Sequence, residues 1–180
     1  MDIMVDLETL DVTPSAVILT IGAIRFDPQG RLKALKDYDY FYKRIEISKQ
    51  EQLGFTTSQK TKDWWNKQED KVKNEAFGGT GDIEKVIREF NDWVKKSGVD
   101  FRIWSRGTAF DIPILEHAFR KFNIEYPWKF WNVMDMRTVV TITGTPTTQH
   151  KNGKHNALTD CYRQIADLYN CIYNMNREYR

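Results

Sequence analysis

Cysteine is scarce in this chain of 180 residues, with only Cys161 and Cys171. Both fall in one C-terminal apolar pattern. Ten positions apart on one helix, they cannot reach each other, which excludes a disulfide framework and fits a reducing compartment, the cytoplasm. Long apolar runs are also missing. None approaches the roughly 20 residues of a membrane span, so no membrane partner is expected. Met1 is followed at once by a strand pattern holding two acids, which predicts no signal peptide. Net charge is small, +2 from 27 Lys and Arg against 25 Asp and Glu, so charge alone argues for no polyanionic partner. A phosphate-cradling loop is absent too. The glycines of residues 77–81 (FGGTG) are followed by no Lys-Ser or Lys-Thr pair, which excludes a P-loop.

What is present describes an ordinary folded unit. Apolar residues make up 41% and charged residues 29%, consistent with one domain over residues 1–180 and a proper core. Six Trp, eight Tyr and ten Phe exceed what stacking surfaces need, so most belong to the core. The first ten residues (MDIMVDLETL) organise the rest. Ile3, Met4, Val5 and Leu7 form an apolar run interrupted by Asp6 and Glu8. In a strand, positions i and i+2 point the same way, so both carboxylates leave one face near the strand's carboxyl end. Open α/β sheets keep their sites there, and two crowded acids repel unless a cation lies between them. The alternative is that Glu8 is a solvated loop acid.

Residues 16–27 and 38–45 predict two more strands, giving an opening meander, with no helix before residue 55. Residues 63–73 predict a short polar helix carrying the adjacent Trp64 and Trp65. Neighbours on a helix lie about 100° apart, so one indole can pack inward while the other offers a stacking platform for a base. The alternative is that both cover the core edge. Residues 82–97 predict an amphipathic helix capped by Asp82. A strand follows at 101–104, then a loop, then a helix with the stripe Ile112, Leu115, Phe119 and Phe122. Asp111 lies off that stripe, as an N-cap or as a third carboxylate beside the first strand. Pro113 is tolerated in that helix's first turn. Residues 132–135 predict a last strand running into a helical turn, and the threonine-rich stretch 141–152 an exposed loop. The final helix, from about 156 to 172, buries Leu158, Cys161, Ile165, Leu168 and Ile172. His155 sits at its amino end and Asp160 in its early turns, both explicable as loop and capping residues. The last five residues, 176–180, are expected to fray.

Together these describe four carboxylates and one histidine, each near the end of an element. In this the chain resembles the DEDDh branch of the proofreading-exonuclease-like family, of ribonuclease H-like fold. The residues that carry the likeness are Asp6-Leu7-Glu8 after a hydrophobic strand, Asp111 in WSRGTAFD, and His155-x4-Asp160. It is most similar to small phage and bacterial members related to the mycobacterial 3′–5′ exoribonuclease, which carry a comparable Trp-Trp-x-x-Gln segment, here Trp64, Trp65 and Gln68. The resemblance implies an α/β fold with a mixed five-stranded sheet, an antiparallel meander of three strands plus two more, flanked by helices. It also implies a two-metal 3′–5′ exonuclease releasing 5′-mononucleotides. Asp6, Glu8, Asp111 and Asp160 would hold two Mg²⁺ or Mn²⁺ ions, and His155 would be the general base. Single-stranded RNA or DNA, or a frayed 3′ end, would be the partner, with RNA favoured. Thr9 and Leu10 would lie beside the terminal nucleotide, Trp64, Trp65 and Gln68 near it, and Arg106, Lys151 and Lys154 near phosphate. A homodimer is left open. The site of action would be the cytoplasm, that of the host if the chain is phage-encoded. The rival readings are a catalytically silent nucleic-acid-binding protein of the same fold, and an interaction module whose acids are caps.

Overall fold

The computed structural model describes residues 1–148 and 155–178. Five strands form one mixed sheet in the order β3-β2-β1-β4-β5. The strands are β1 (Asp2–Thr9), β2 (Ile18–Phe26), β3 (Asp39–Arg44), β4 (Ile103–Ser105) and β5 (Val133–Asp135). The first three make the expected antiparallel meander, and β4 and β5 add in parallel beyond β1. Seven helices flank the sheet among the described residues: α1 (Ile47–Gln52), α2 (Gln59–Asn66), α3 (Asp70–Phe77), α4 (Ile83–Lys95), α5 (Thr108–Lys121), α6 (Met136–Thr143) and α7 (Ala157–Glu178).

Strand parity divides the core in two. Ile3, Val5 and Leu7 of β1 pack with Ile87, Phe90 and Val94 of α4 and Ile112, Leu115 and Phe119 of α5. Met4 faces the other way, with Ile24 and Phe26 of β2, against Cys161, Ile165 and Leu168 of α7. Asp6 and Glu8 share the parity of Met4, so the strand turns both acids toward the α7 side. All nine residues of β2 are buried, as a central strand covered on both faces requires.

Several elements depart from the sequence expectation. A helix does form before residue 55. α1 is held by Gln50, fully buried, whose amide bonds Ile18 N and O at 2.9 and 2.8 Å. The polar segment 63–73 is two helices. Ser58 caps α2 through the Thr61 amide at 3.3 Å, and a break at residues 67–69 precedes α3. Gly107, at φ 104°, starts α5 early enough that Pro113 falls past the first turn, where it forgoes one intrahelical bond. α6 runs to Thr143 and ends on Gly144 at φ 58°, so the threonine-rich stretch begins as helix. Thr148 then anchors to Asp167 of α7 through its amide and hydroxyl at 2.9 and 2.6 Å. Residues 149–152 of that stretch lie outside the described residues. α7 extends six residues beyond the predicted end to Glu178, so much of the tail expected to fray is helical. No helix among the described residues is long and apolar enough to cross a membrane.

Candidate active site

The acids of β1 stand where the sheet opens. Pairing of β1 with β4 runs only through Ile3 and Met4. The Leu7 amide, which projects to that side, is thereby free of the ladder and donates to Asp111 Oδ1 at 3.2 Å. Asp111 is thus no N-cap. It lies in the first turns of α5, 3% exposed, hooked onto the backbone between Asp6 and Glu8. On the other side, the β1–β2 register shifts between Glu8 and Thr9, a bulge at the strand's end that re-aims Glu8.

The fourth acid, Asp160, arrives on α7. Asn156 caps that helix, accepting from the Thr159 amide at 3.0 Å. Asp160 Oδ2 accepts the His155 amide at 3.0 Å, and its Oδ1 accepts Arg163 Nη1 at 2.7 Å. The capping role anticipated for Asp160 is therefore real, and it coexists with a place in the cluster. What admits α7 is a missing side chain. Gly22 pairs across the sheet with Asp6, and a Cβ there would meet Ala157 C and Leu158 N at 2.4 Å. Only a glycine lets the amino end of α7 lie on the sheet and carry Asp160 over β1. Tyr42, next in the same row, accepts Asn156 Nδ2 at 3.1 Å and donates to Glu75 Oε1 at 2.8 Å, tying that end to β3 and α3.

Ligand oxygens of Asp6, Glu8 and Asp160 all lie within 4.8 Å of one another. The charges are unfavourable as they stand. Burial, then Asp111, Glu8 and Asp160, push the Asp6 carboxyl well above its ordinary range, against the bond from Gln164. Burial and the neighbouring Asp160 and Asp111 carry Glu8 up to about 8. Burial raises Asp111 to about 7, held back by Ser105 and the Leu7 amide. A cluster that resists ionisation without a counter-charge, and that offers only hard oxygen donors, fits Mg²⁺ or Mn²⁺.

Beside the acids is a cavity of about 340 Å³ lined by Leu7, Glu8, Thr9, Val12, Lys60, Trp64 and Phe110, among others. The two tryptophans divide as adjacent helical residues can. Trp65 is 2% exposed and donates its indole N–H to Thr9 O at 2.9 Å, while Trp64 is 40% exposed. The Trp64 ring also meets the His155 ring edge to face, centroids 4.6 Å apart. His155 itself is at φ 64°, the left-handed region.

Other expected contacts are placed elsewhere. Leu10 does not line the cavity, because its side chain is 2% exposed in the core. Gln68 donates its amide to Trp64 O at 3.1 Å at the end of α2. Arg106 is 3.7 Å from the buried Asp167, a partner that holds it on α7. Lys151 and Lys154 lie outside the described residues. The sequence reading missed Arg163 and Gln164, three and four residues after Asp160; helical spacing was the available signal. Lys60 was missed because nothing in its own neighbourhood marks it.

Comparison with known proteins agrees with this arrangement. Residues 1–171 match the model of the 3′–5′ exoribonuclease Rv2179c-like domain. The exodeoxyribonuclease of Enterobacteria phage T4 is 26% identical over 213 aligned positions, covering 98% of this chain and 92% of the relative. Among solved structures, cell-death related nuclease 4 aligns with 95% of this chain at a TM-score of 0.59 and 14% identity; this chain spans 63% of that one. The nuclease domain of 3′hExo, a DEDDh member bound to rAMP, aligns over 95% of this chain and 90% of its own at 0.59 and 12% identity. S. pombe Pop2p, in its Mg²⁺- and Mn²⁺-bound form, aligns over 93% and 81% at 0.56 and 12% identity. Those likenesses speak to the fold, while the family match spans nearly the whole chain: the chain belongs to the Rv2179c-like 3′–5′ exoribonuclease domain family, within the DEDDh, ribonuclease H-like exonucleases, and is a metal-dependent 3′–5′ exonuclease.

Proposed function

We propose that residues 1–180 act as a single domain that removes nucleotides from the 3′ end of single-stranded RNA or DNA and releases 5′-mononucleotides. Asp6, Glu8, Asp111 and Asp160 would hold two Mg²⁺ or Mn²⁺ ions. The observation that carries this reading is the convergence of three carboxylates within 4.8 Å beside a cavity of about 340 Å³. Ions bound there would supply the charge neutralisation and water activation that phosphodiester hydrolysis needs.

The remaining work falls to the chain's own groups. His155 is the general base in this reading, since imidazole exchanges protons near neutrality. Its backbone is pinned to Asp160 and its ring rests on Trp64, which supports a fixed position at the edge of the cluster. Leu7, Val12, Trp64 and Phe110 offer apolar walls to the terminal base. Stacking on such walls tolerates any base, as removal of successive nucleotides from strands of mixed sequence requires. Thr9 contributes through its place on the cavity wall rather than through its hydroxyl, which donates to Asp11 O at 2.7 Å. Lys60, on the same wall, is suited to a phosphate. The cytoplasm is the compartment proposed, that of a host if the chain is phage-encoded.

The sugar preference is open to direct assay, because the family is named for an exoribonuclease and the T4 relative is named an exodeoxyribonuclease. Matched 5′-labelled RNA and DNA oligonucleotides, incubated with Mg²⁺, Mn²⁺ or EDTA, should give a metal-dependent ladder shortening from the 3′ end. The faster ladder identifies the preferred sugar. Internal cuts, or shortening from the 5′ end, would overturn the assignment.

A further inference from the structure

The polar face of α7 carries more than Asp160. One turn later, Gln164 is 5% exposed and donates Nε2 to Asp6 Oδ1 at 2.8 Å. Its other amide atom, Oε1, is buried with no hydrogen-bond partner among the described residues. A stranded buried acceptor is costly, so the bond to Asp6 is what the side chain gains in this position. The contact joins residues 158 apart in sequence, across the packing of α7 on β1. Asp160 and Gln164 are i and i+4, so one helical face presents both toward the strand.

We propose that Gln164 is a positioning residue that fixes the orientation of the Asp6 carboxylate for metal binding. This rests on the reading of the acids as a metal centre. Asp6 is the most crowded of them, facing Asp111, Glu8 and Asp160 at once. A carboxylate in that field, with no fixed donor, turns away from its neighbours. Gln164 holds Oδ1, which fixes the plane of the carboxylate and leaves Oδ2 without that donor. The donor is a neutral amide for a physical reason. A Lys or Arg at this position would neutralise the acids internally and compete with the ion, whereas an amide orients the carboxylate and leaves its negative charge unspent. α7 then delivers a ligand and, four residues on, the group that orients the ligand opposite.

The test is Mn²⁺ titration calorimetry on the full chain, wild type against Q164M, which keeps the length and loses the donor, with melting in EDTA as the check of folding. Q164A serves as a second variant of opposite volume error. The expected result is an Mn²⁺ affinity weaker by about tenfold or more, and a kcat lower by about 10- to 100-fold, with KM for the oligonucleotide nearly unchanged. A merely structural role would lower the melting temperature and leave the Mn²⁺ affinity of the folded fraction alone. Wild-type affinity and kcat in both variants would overturn the proposal while leaving the metal centre standing. Failure of the wild type itself to bind Mn²⁺ would overturn the metal-centre reading and this proposal with it.

Discussion

Gly22→Ala should disable the enzyme more than it destabilises the fold. The added Cβ meets Ala157 C and Leu158 N at 2.4 Å and Ala157 O at 2.7 Å, all backbone atoms. Carbon atoms in contact need about 3.5 Å, so the amino end of α7 has to rise by about 1 Å. No rotamer can absorb this, since the Cβ is fixed by its own backbone and the atoms it meets are all main chain. Overpacking of this kind costs about 1–3 kcal/mol, which for a domain of this size lowers Tm by roughly 3–10 °C. The same displacement carries Asp160 away from Asp6 and Glu8, whose ligand oxygens now lie within 4.8 Å of its own. A misplacement of about 1 Å in a catalytic constellation costs on the order of 100-fold in rate. The assay is a 3′-end ladder time course at saturating Mn²⁺ and 20 °C, well below the expected melting point, with Mn²⁺ affinity measured alongside. Gly98→Ala is the control. Gly98 is left-handed, at φ 85°, and nothing lies within 4 Å of its Cβ position, so that variant should lose about 1 kcal/mol from backbone strain alone and no activity. A folded Gly22→Ala protein that turns over at the wild-type rate would refute the claim that this glycine seats α7.

The metal-free protein should lose stability as pH rises. In the fold, burial raises Asp111 from 3.8 to about 7, and burial with the neighbouring carboxylates raises Glu8 from 4.5 to about 8 and pushes Asp6 well above its ordinary range. Folding therefore favours their neutral forms: the stabilisation is complete below about pH 4 and is lost as pH climbs through 7 to 8. Tm in EDTA should fall between pH 5.5 and 8.5 while the gain from added Mn²⁺ grows, and a flat profile would show that the acids carry no such strain. Asp6→Asn and Asp160→Asn should each abolish turnover yet leave the metal-free protein at pH 8 no less stable than wild type; residual cleavage at more than about a thousandth of the rate would reject the two-metal assignment. Trp65→Ala should cost roughly 3–5 kcal/mol, as removal of a buried indole does, whereas Trp64→Ala should leave Tm nearly intact and slow cleavage. Equal losses of stability in the two would return both rings to a packing role.

Much of the site was legible in the chain. The i, i+2 spacing of Asp6 and Glu8 put them on one face because strand side chains alternate by geometry alone. The His155-x4-Asp160 spacing placed the pair at a helix start, and there the His155 amide donates to the Asp160 carboxylate. α4 was readable from its stripe and its Asp82 cap, since both signals are local. Helical rotation allowed one of two adjacent tryptophans to be buried and the other exposed, but it allowed both to cover the core edge as well, and it did not say which ring would turn inward.

The identity of the buried indole needed the tertiary structure, because Trp65 is chosen by Thr9 O, 56 residues away. The same holds for the features that make the site work. Asp111 reads locally as a helix cap, and comes to lie beside the acids of β1 only because β4 ends and leaves the Leu7 amide for it, 104 residues distant. Arg106 reads as a loop cation until Asp167 takes it up, and α1 has no local pattern without Gln50 bonded to Ile18. Gly22 and Gln164 carry no mark in their own neighbourhoods. Sequence alone determined which residues share a face, since that depends on backbone periodicity. The fold decided which faces meet, and with them the seating of α7 and the setting of Asp6, because those depend on contacts between residues the chain holds far apart.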